Sequence, residues 1–283
     1  MSKRSGPRRR STSYVMANLV WSPKWKVQAG VRYEYNLQTL NSFTNLDNSS
    51  EVHEKLRTAF FLPSGNISYQ LDDKSLLRLA AGKTLNRPEF REMAPYYFYD
   101  YDLRIGNYGS LYPTTYFPQG IALKVARIWN ADLRFEWYGS GSDMLHAGVF
   151  YKYFNSPIQK VITSDYKGLT YINTKDAVVY GMEAEWRRNL KHLSPALRAI
   201  TLVSNLSLQQ SRMQLPDLPN QLDHSRLQGQ SPYVINAGWY MQNDSATLQA
   251  SLLYNVFGPR VFAIGSAFYA STAELPFHSL DAL

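Results

Sequence analysis

The sequence predicts an all-β protein, an antiparallel up-and-down transmembrane β-barrel. Three observations predict it. Apolar and polar side chains alternate along most of the chain. The alternating stretches run about 9–13 residues, longer than the usual 5–6 of soluble sheets. Short turns and long connections follow one another in strict succession. Period two gives a strand one apolar and one polar face, and tilted strands of about that length match the hydrocarbon thickness of a bilayer.

The elements follow in order. Trp25, Val27, Ala29, Val31, Tyr33 and Tyr35 oppose Lys26, Gln28, Gly30, Arg32 and Glu34. The same alternation recurs near 61–71, 77–86, 129–137, 145–153, 180–187, 200–209, 235–242 and 248–256, for about ten strands. Within 129–137, Trp129, Ala131, Leu133, Phe135 and Trp137 oppose Asn130, Asp132, Arg134 and Glu136. Short turns fall at 22–24, 72–75, 139–143, 189–195 and 243–245. Long connections fall at 38–56, 87–126, 155–176, 212–231 and 258–278. Tight turns at one end and long loops at the other describe an outer-membrane barrel. Its apolar face would meet lipid and its polar face a wet lumen. Trp21, Trp25, Trp137, Tyr138, Trp186 and Trp239 lie near short turns, where an aromatic girdle belongs. The competing reading is a soluble β-sandwich whose apolar faces pack together. Long strands and one-sided loops speak against it.

Composition agrees. Of 283 residues, 45% are hydrophobic and 14% aromatic, with 21 Tyr. A mean hydropathy of -0.35 does not exclude a membrane, because a barrel wall is only half apolar. The absence of cysteine removes disulfides, thiolate metal sites and thiol nucleophiles. The net charge is +8, but five positives crowd into the first ten residues and leave +3 for the rest. "KRSGPRRR" carries no interleaved aromatics, so residues 1–13 are expected to be a disordered basic tail without a nucleic-acid partner.

Chemistry-bearing motifs are few. "GKT" at 82–84 lacks the upstream P-loop glycine, where Leu77 stands. "DYDLRIGN" has Arg104 and Ile105 where a calcium loop wants an oxygen ligand and glycine, leaving only a loose divalent site through Asp100 and Asp102. The five histidines show no ligand spacing, and neither a catalytic set nor a cofactor is expected. Asp132 and Glu136 beside Arg134, and Glu183 and Glu185 beside Arg187, are expected to form lumen ion pairs. The informative stretch is the loop 87–120. Arg91, Tyr96, Tyr97, Tyr99, Asp100, Tyr101, Asp102 and Arg104 are its ligand candidates, since aromatic planes beside charges suit a flat ligand, a sugar ring or a metal chelate. The same rings could instead pack the loop on itself. Arg87 and Glu89 are expected to anchor it.

Six stretches together resemble a known family: "LRLAAGKTLNRPEFREMAPYYFYDYD" (77–102), "NADLRFEWYGSG" (130–141), "VFYKYFNSPIQKVI" (149–162), "VYGMEAEWRRNL" (179–190), "LQGQSPYVINAGWYMQ" (227–242) and "SLLYNVFGPRV" (251–261). They resemble the barrel domain of TonB-dependent outer-membrane receptors, nearest the subgroup common in Bacteroidetes. The resemblance implies that residues 14–283 form an incomplete barrel, lacking the plug and the terminal strands. It also implies a place in the bacterial outer membrane, in contact with its lipid. The parent would take up a scarce large solute (siderophore, cobalamin or glycan) with energy delivered by the TonB complex through the missing N-terminal part. No enzyme activity is implied. The alternative is a porin-like or structural barrel without plug gating.

Overall fold

The computed structural model describes residues 5–43, 51–113, 119–163, 168–217, 222–266 and 269–283. In chain order the strands begin with β1 (Ser5–Val20), β2 (Trp25–Phe43), β3 (Glu51–Gln70) and β4 (Ser75–Asn86). A single helical turn, α1 (Phe90–Met93), precedes β5 (Tyr97–Asp100) and β6 (Ile105–Tyr108). Next come β7 (Ala126–Tyr138), β8 (Met144–Asn155), β9 (Ile158–Ile162), β10 (Gly168–Asn173) and β11 (Asp176–Asn189). The chain continues through β12 (Ile200–Gln214), β13 (His224–Ser225), β14 (Tyr233–Gln242) and β15 (Gln249–Phe257). It ends with β16 (Arg260–Ala263), β17 (Thr272–Glu274) and β18 (Phe277–Ala282).

Eleven of these strands form one antiparallel meander in the order β1-β2-β3-β4-β7-β8-β11-β12-β14-β15-β18, and β13 adds to β12 to make twelve. The sheet does not close, since β1 and β18 stand at its two ends. Register carries the alternation from strand to strand. Leu79 lies opposite Leu133, Leu133 opposite Val149, Val149 opposite Met182, and Met182 opposite Leu208. A slip of one residue at any pair would move a whole strand's apolar side chains to the polar face. Leu133, Val149 and Met182 remain 41%, 53% and 55% exposed, so no protein layer among the described residues covers the apolar face. That removes the sandwich reading, which needs the apolar faces packed together.

Aromatic side chains mark both ends of that face. Trp25 stacks near Tyr69 at the short-turn end, with ring centroids 4.5 Å apart. At the loop end Trp129 lies opposite Tyr153, and Tyr151 opposite Tyr180. Trp129 and Trp137 are eight residues apart on β7, roughly 26 Å along the strand at about 3.3 Å per residue, or about 19–22 Å of height at a barrel tilt of about 35–45°, comparable with an apolar band about 25 Å tall. Tyr138 is a correction. Its parity is that of Glu136, and its hydroxyl donates to Glu136 Oε2 at 2.8 Å on the polar face.

Other expectations are also corrected. Of the tail expected at 1–13, residues 1–4 lie outside the described residues, and Ser5–Ser13 are the first part of β1, paired with β2 as far as Leu40. A ladder needs backbone groups rather than apolar side chains, and Arg10 finds Glu34 on the neighbouring strand at 2.7 Å. The connection expected at 38–56 is mostly strand, because β2 continues to Phe43 and β3 starts at Glu51. Glu34, Asn36, Gln38 and Leu40 are buried on its polar face, beneath the segment that leaves β4. Of the acids expected in lumen ion pairs, Glu136 and Glu185 pair across strands rather than with Arg134 and Arg187 on their own strands. Arg78 lies opposite Arg134, and Glu136 reaches across to Arg78 (Nε–Oε1 3.1 Å). Likewise Glu185 faces His146, at 3.6 Å, rather than Arg187.

The seam between β3 and β4 is short. They pair from Ser64–Gly82 down to Gln70–Leu76, and no further. Pro63, which has no N–H to give, stands where the pairing stops. Above that fork β3 continues beside β2 alone, while β4 continues beside β7.

Candidate functional site

The buried apolar core lies at the loop end rather than within the wall. One cluster joins Val161, Ile172, Ala177, Met213, Leu215 and Ile264, and a second joins Leu40, Met93, Leu111, Leu123 and Ile158. Both bring loop residues against the upper ends of wall strands. The long connections are therefore folded. Strands β5, β6, β10 and β9 form a second sheet, in that order, with a parallel pairing between β6 and β10. Two connections distant in sequence share one ladder.

Side chains and one backbone bridge lock the connections 212–231 and 258–278 onto it. Gln228 accepts from Lys160 N–H at 2.8 Å through Oε1 and donates through Nε2 to the Phe262 carbonyl at 2.7 Å. Its backbone N–H donates to Gln159 Oε1 at 2.9 Å. Ile264 adds a parallel bridge to Val161. Asn173 closes the inner edge, accepting from Lys124 N–H and donating to the carbonyls of Lys124 and Ser156.

The predicted ligand candidates divide between the two faces of β5, because a strand alternates. Tyr97, Tyr99 and Tyr101 share one parity and are exposed, Tyr101 most of all. Tyr97 packs on Tyr108 (5.0 Å), Tyr108 on Tyr112 (5.1 Å), and Tyr99 meets Tyr101 edge-on (5.1 Å). These rings form a tyrosine strip. Phe98 and Asp100 point to the opposite face. There the Arg91 guanidinium sits 4.5 Å over the Phe98 ring. Tyr96 lies 5.9 Å from Phe98, and its carbonyl accepts from Gly109 N–H. Asp100 Oδ1 accepts the backbone N–H groups of Asp102 and Leu103, so this carboxylate builds the turn. Arg104 takes φ +53° at the turn's end, with its side chain exposed like that of Asp102.

Sequence reasoning missed the residues that complete the Arg91 face. Lys160 lies opposite Tyr171, and its ammonium stands 4.6 Å from the Phe262 ring and 5.8 Å from the Tyr171 ring. Burial, then the charge of Arg91, hold its pKa below the usual lysine value. Burial likewise pushes the Glu92 carboxyl above the usual range, although its Oε2 accepts from Glu89 N–H at 2.9 Å. No local motif could have joined 91, 160, 171 and 262. The expected anchor, Arg87, reaches Glu34 on β2 (Nη2–Oε2 2.8 Å), and Gln38 Nε2 donates to the Pro88 carbonyl at 2.9 Å.

An antiparallel meander with short turns at one end and a folded loop layer at the other defines one wall of a β-barrel, with an aromatic, cation-bearing surface at its mouth. The chain belongs to the family described as TonB dependent receptor-like, beta-barrel, which matches residues 2–280. No curated protein matches it. Among solved structures it is similar to the ferric yersiniabactin uptake receptor FyuA from Yersinia pestis, with TM-score 0.68 and 14% identity over 97% of this chain and 37% of that one. It is similar also to the copper transporter OprC (TM-score 0.67, 13% identity, 97% and 39%). A third is the ferric-catecholate import receptor Fiu from K12 E. coli (TM-score 0.64, 11% identity, 97% and 38%). The likeness is one of fold, and this chain spans well under half the length of each. The family and these neighbours are transport receptors rather than enzymes.

Proposed function

We propose that this chain is the wall and part of the mouth of an outer-membrane receptor that captures a scarce large solute (siderophore, cobalamin or glycan). TonB would drive its uptake through parts of the receptor beyond this stretch. The observation that carries the reading is the loop layer. A passive pore needs its mouth open, whereas here two connections form a common sheet and a third is bonded to it, with exposed tyrosines on one face. Tyr97, Tyr99 and Tyr101 would stack on a flat or ring-shaped solute, with Asp102 and Arg104 offering charge at the edge, Tyr96 and Asp100 holding the loop's shape, and Arg91 bracing the opposite face against Phe98. The uncovered apolar face and its two aromatic bands support placement in the outer membrane, against lipid.

The test is a receptor carrying Tyr97→Ser, Tyr99→Ser and Tyr101→Ser together. These side chains are exposed, so outer-membrane insertion should be unchanged while solute uptake falls by tenfold or more. Unaltered uptake with normal insertion would show that the strip only packs the loop.

A further inference from the structure

A second charged centre lies below the loop layer, on the polar face beside the fork between β3 and β4. Glu34 is 1% exposed and meets three guanidinium groups. Arg10 Nη2 and Arg32 Nε reach its Oε1 at 2.7 and 2.9 Å, and Arg87 Nη2 lies 2.8 Å from its Oε2. One cation would neutralise this carboxylate. The exposed Glu89, at the rim, brings the acids to two, and positive charge still predominates. The geometry is also unsaturated. The Arg87 side chain is more than nine-tenths buried, yet its Nε has no hydrogen-bond partner. Arg10 and Arg32 keep 47% and 46% of their side-chain surface exposed. All three line a cavity of about 340 Å³, together with Glu34, Thr84, Asn86 and Glu89.

Buried donors without acceptors and surplus positive charge are costly unless something accepts from them. We propose that this cavity is an oxyanion site, taking a carboxylate or phosphate group between Arg10, Arg32 and Arg87. Planar guanidinium forks suit both groups. Glu34 holds the forks in place, and Thr84 and Asn86 line the wall beside the anion. The site is separate from the tyrosine strip. Its test reads binding alone, so it can fail while the uptake reading stands, and the reverse.

The experiment uses the whole receptor, purified in detergent and titrated calorimetrically with inorganic phosphate, with succinate, and with uncharged succinamide. Phosphate or succinate should bind and succinamide should not. Affinity should fall as salt rises. Arg32→Gln, which removes a half-exposed side chain, should weaken binding tenfold or more without altering heat-modifiable migration. Equal affinity in the parent and Arg32→Gln would overturn the proposal. Silence toward both anions would overturn it too, including silence because one of the receptor's own carboxylates fills the cavity.

Discussion

The wall and the loop layer are both sheet, yet they are held in different ways. Between β7 and β8 every residue from Arg127 to Tyr138 is paired with one from Met144 to Asn155, so backbone groups carry the structure. Side chains there are free to be sorted by solvent, apolar on one face and polar on the other. The β5-β6-β10-β9 sheet has strands of four to six residues, too short to stand alone. It persists because particular side chains (Gln228, Asn173, Met93, Ile172) join it to distant segments. A wall of this kind tolerates polar exchange on its wet face, whereas the loop layer depends on single residues.

The sharpest way to break the contrast is Leu133→Arg. Its face has no protein cover, so a cation at mid-strand should cost roughly 2–4 kcal/mol of insertion free energy, measured by folding into lipid vesicles. Insertion equal to the parent's would mean that the apolar face does not meet lipid. A smaller effect is expected from Gln228→Ala, which removes both side-chain bonds and leaves a part-buried backbone donor and carbonyl without them. That should cost about 1–3 kcal/mol per orphaned group, confined to the loop layer. Amide exchange should quicken around Lys160 and stay unchanged along β7 and β8. Equal acceleration in the wall would show that the two regions are one cooperative unit.

The smallest effect is pH-dependent. Burial raises the Glu92 pKa, so the folded loop favours the protonated carboxyl. Its stabilising contribution is complete below the ordinary carboxylate range and is lost as pH rises through the raised value. The facing groups are Glu89, which adds to the rise, and Lys160, which opposes it. Exchange at Ser110, whose N–H bonds the Glu92 carbonyl, should therefore quicken as pH rises beyond the intrinsic trend. Glu92→Gln should flatten that excess.

The same contrast explains what the sequence disclosed. Alternation is local, so it placed Leu133 and Val149 on one face and Arg134 and Glu136 on the other without knowledge of their neighbours. It misplaced Tyr138 only because nearness to a turn was given more weight than parity. The β1 strand was hidden because its upper part is polar on both faces. In the loops, Gln228 meets Gln159 across 69 residues, and Arg87 finds Glu34 through a strand that reads only as alternating. Partners so far apart leave no spacing to read. The aromatic, charged composition of the loop was legible, but its division into a tyrosine strip and an Arg91–Lys160 face needed the register of β5.

The fork at Pro63 has a mechanical consequence. Above it, residues 51–63 of β3 form an arm about 43 Å long at about 3.3 Å per residue, hydrogen-bonded to a strand on one side only. Below it, the seam with β4 is seven residue pairs, about 23 Å on the same measure. A sideways pull on the upper arm thus acts with nearly twofold leverage on that seam. Besides backbone, the Arg87–Glu34 contact and the Gln38–Pro88 bond are the rivets that meet the torque.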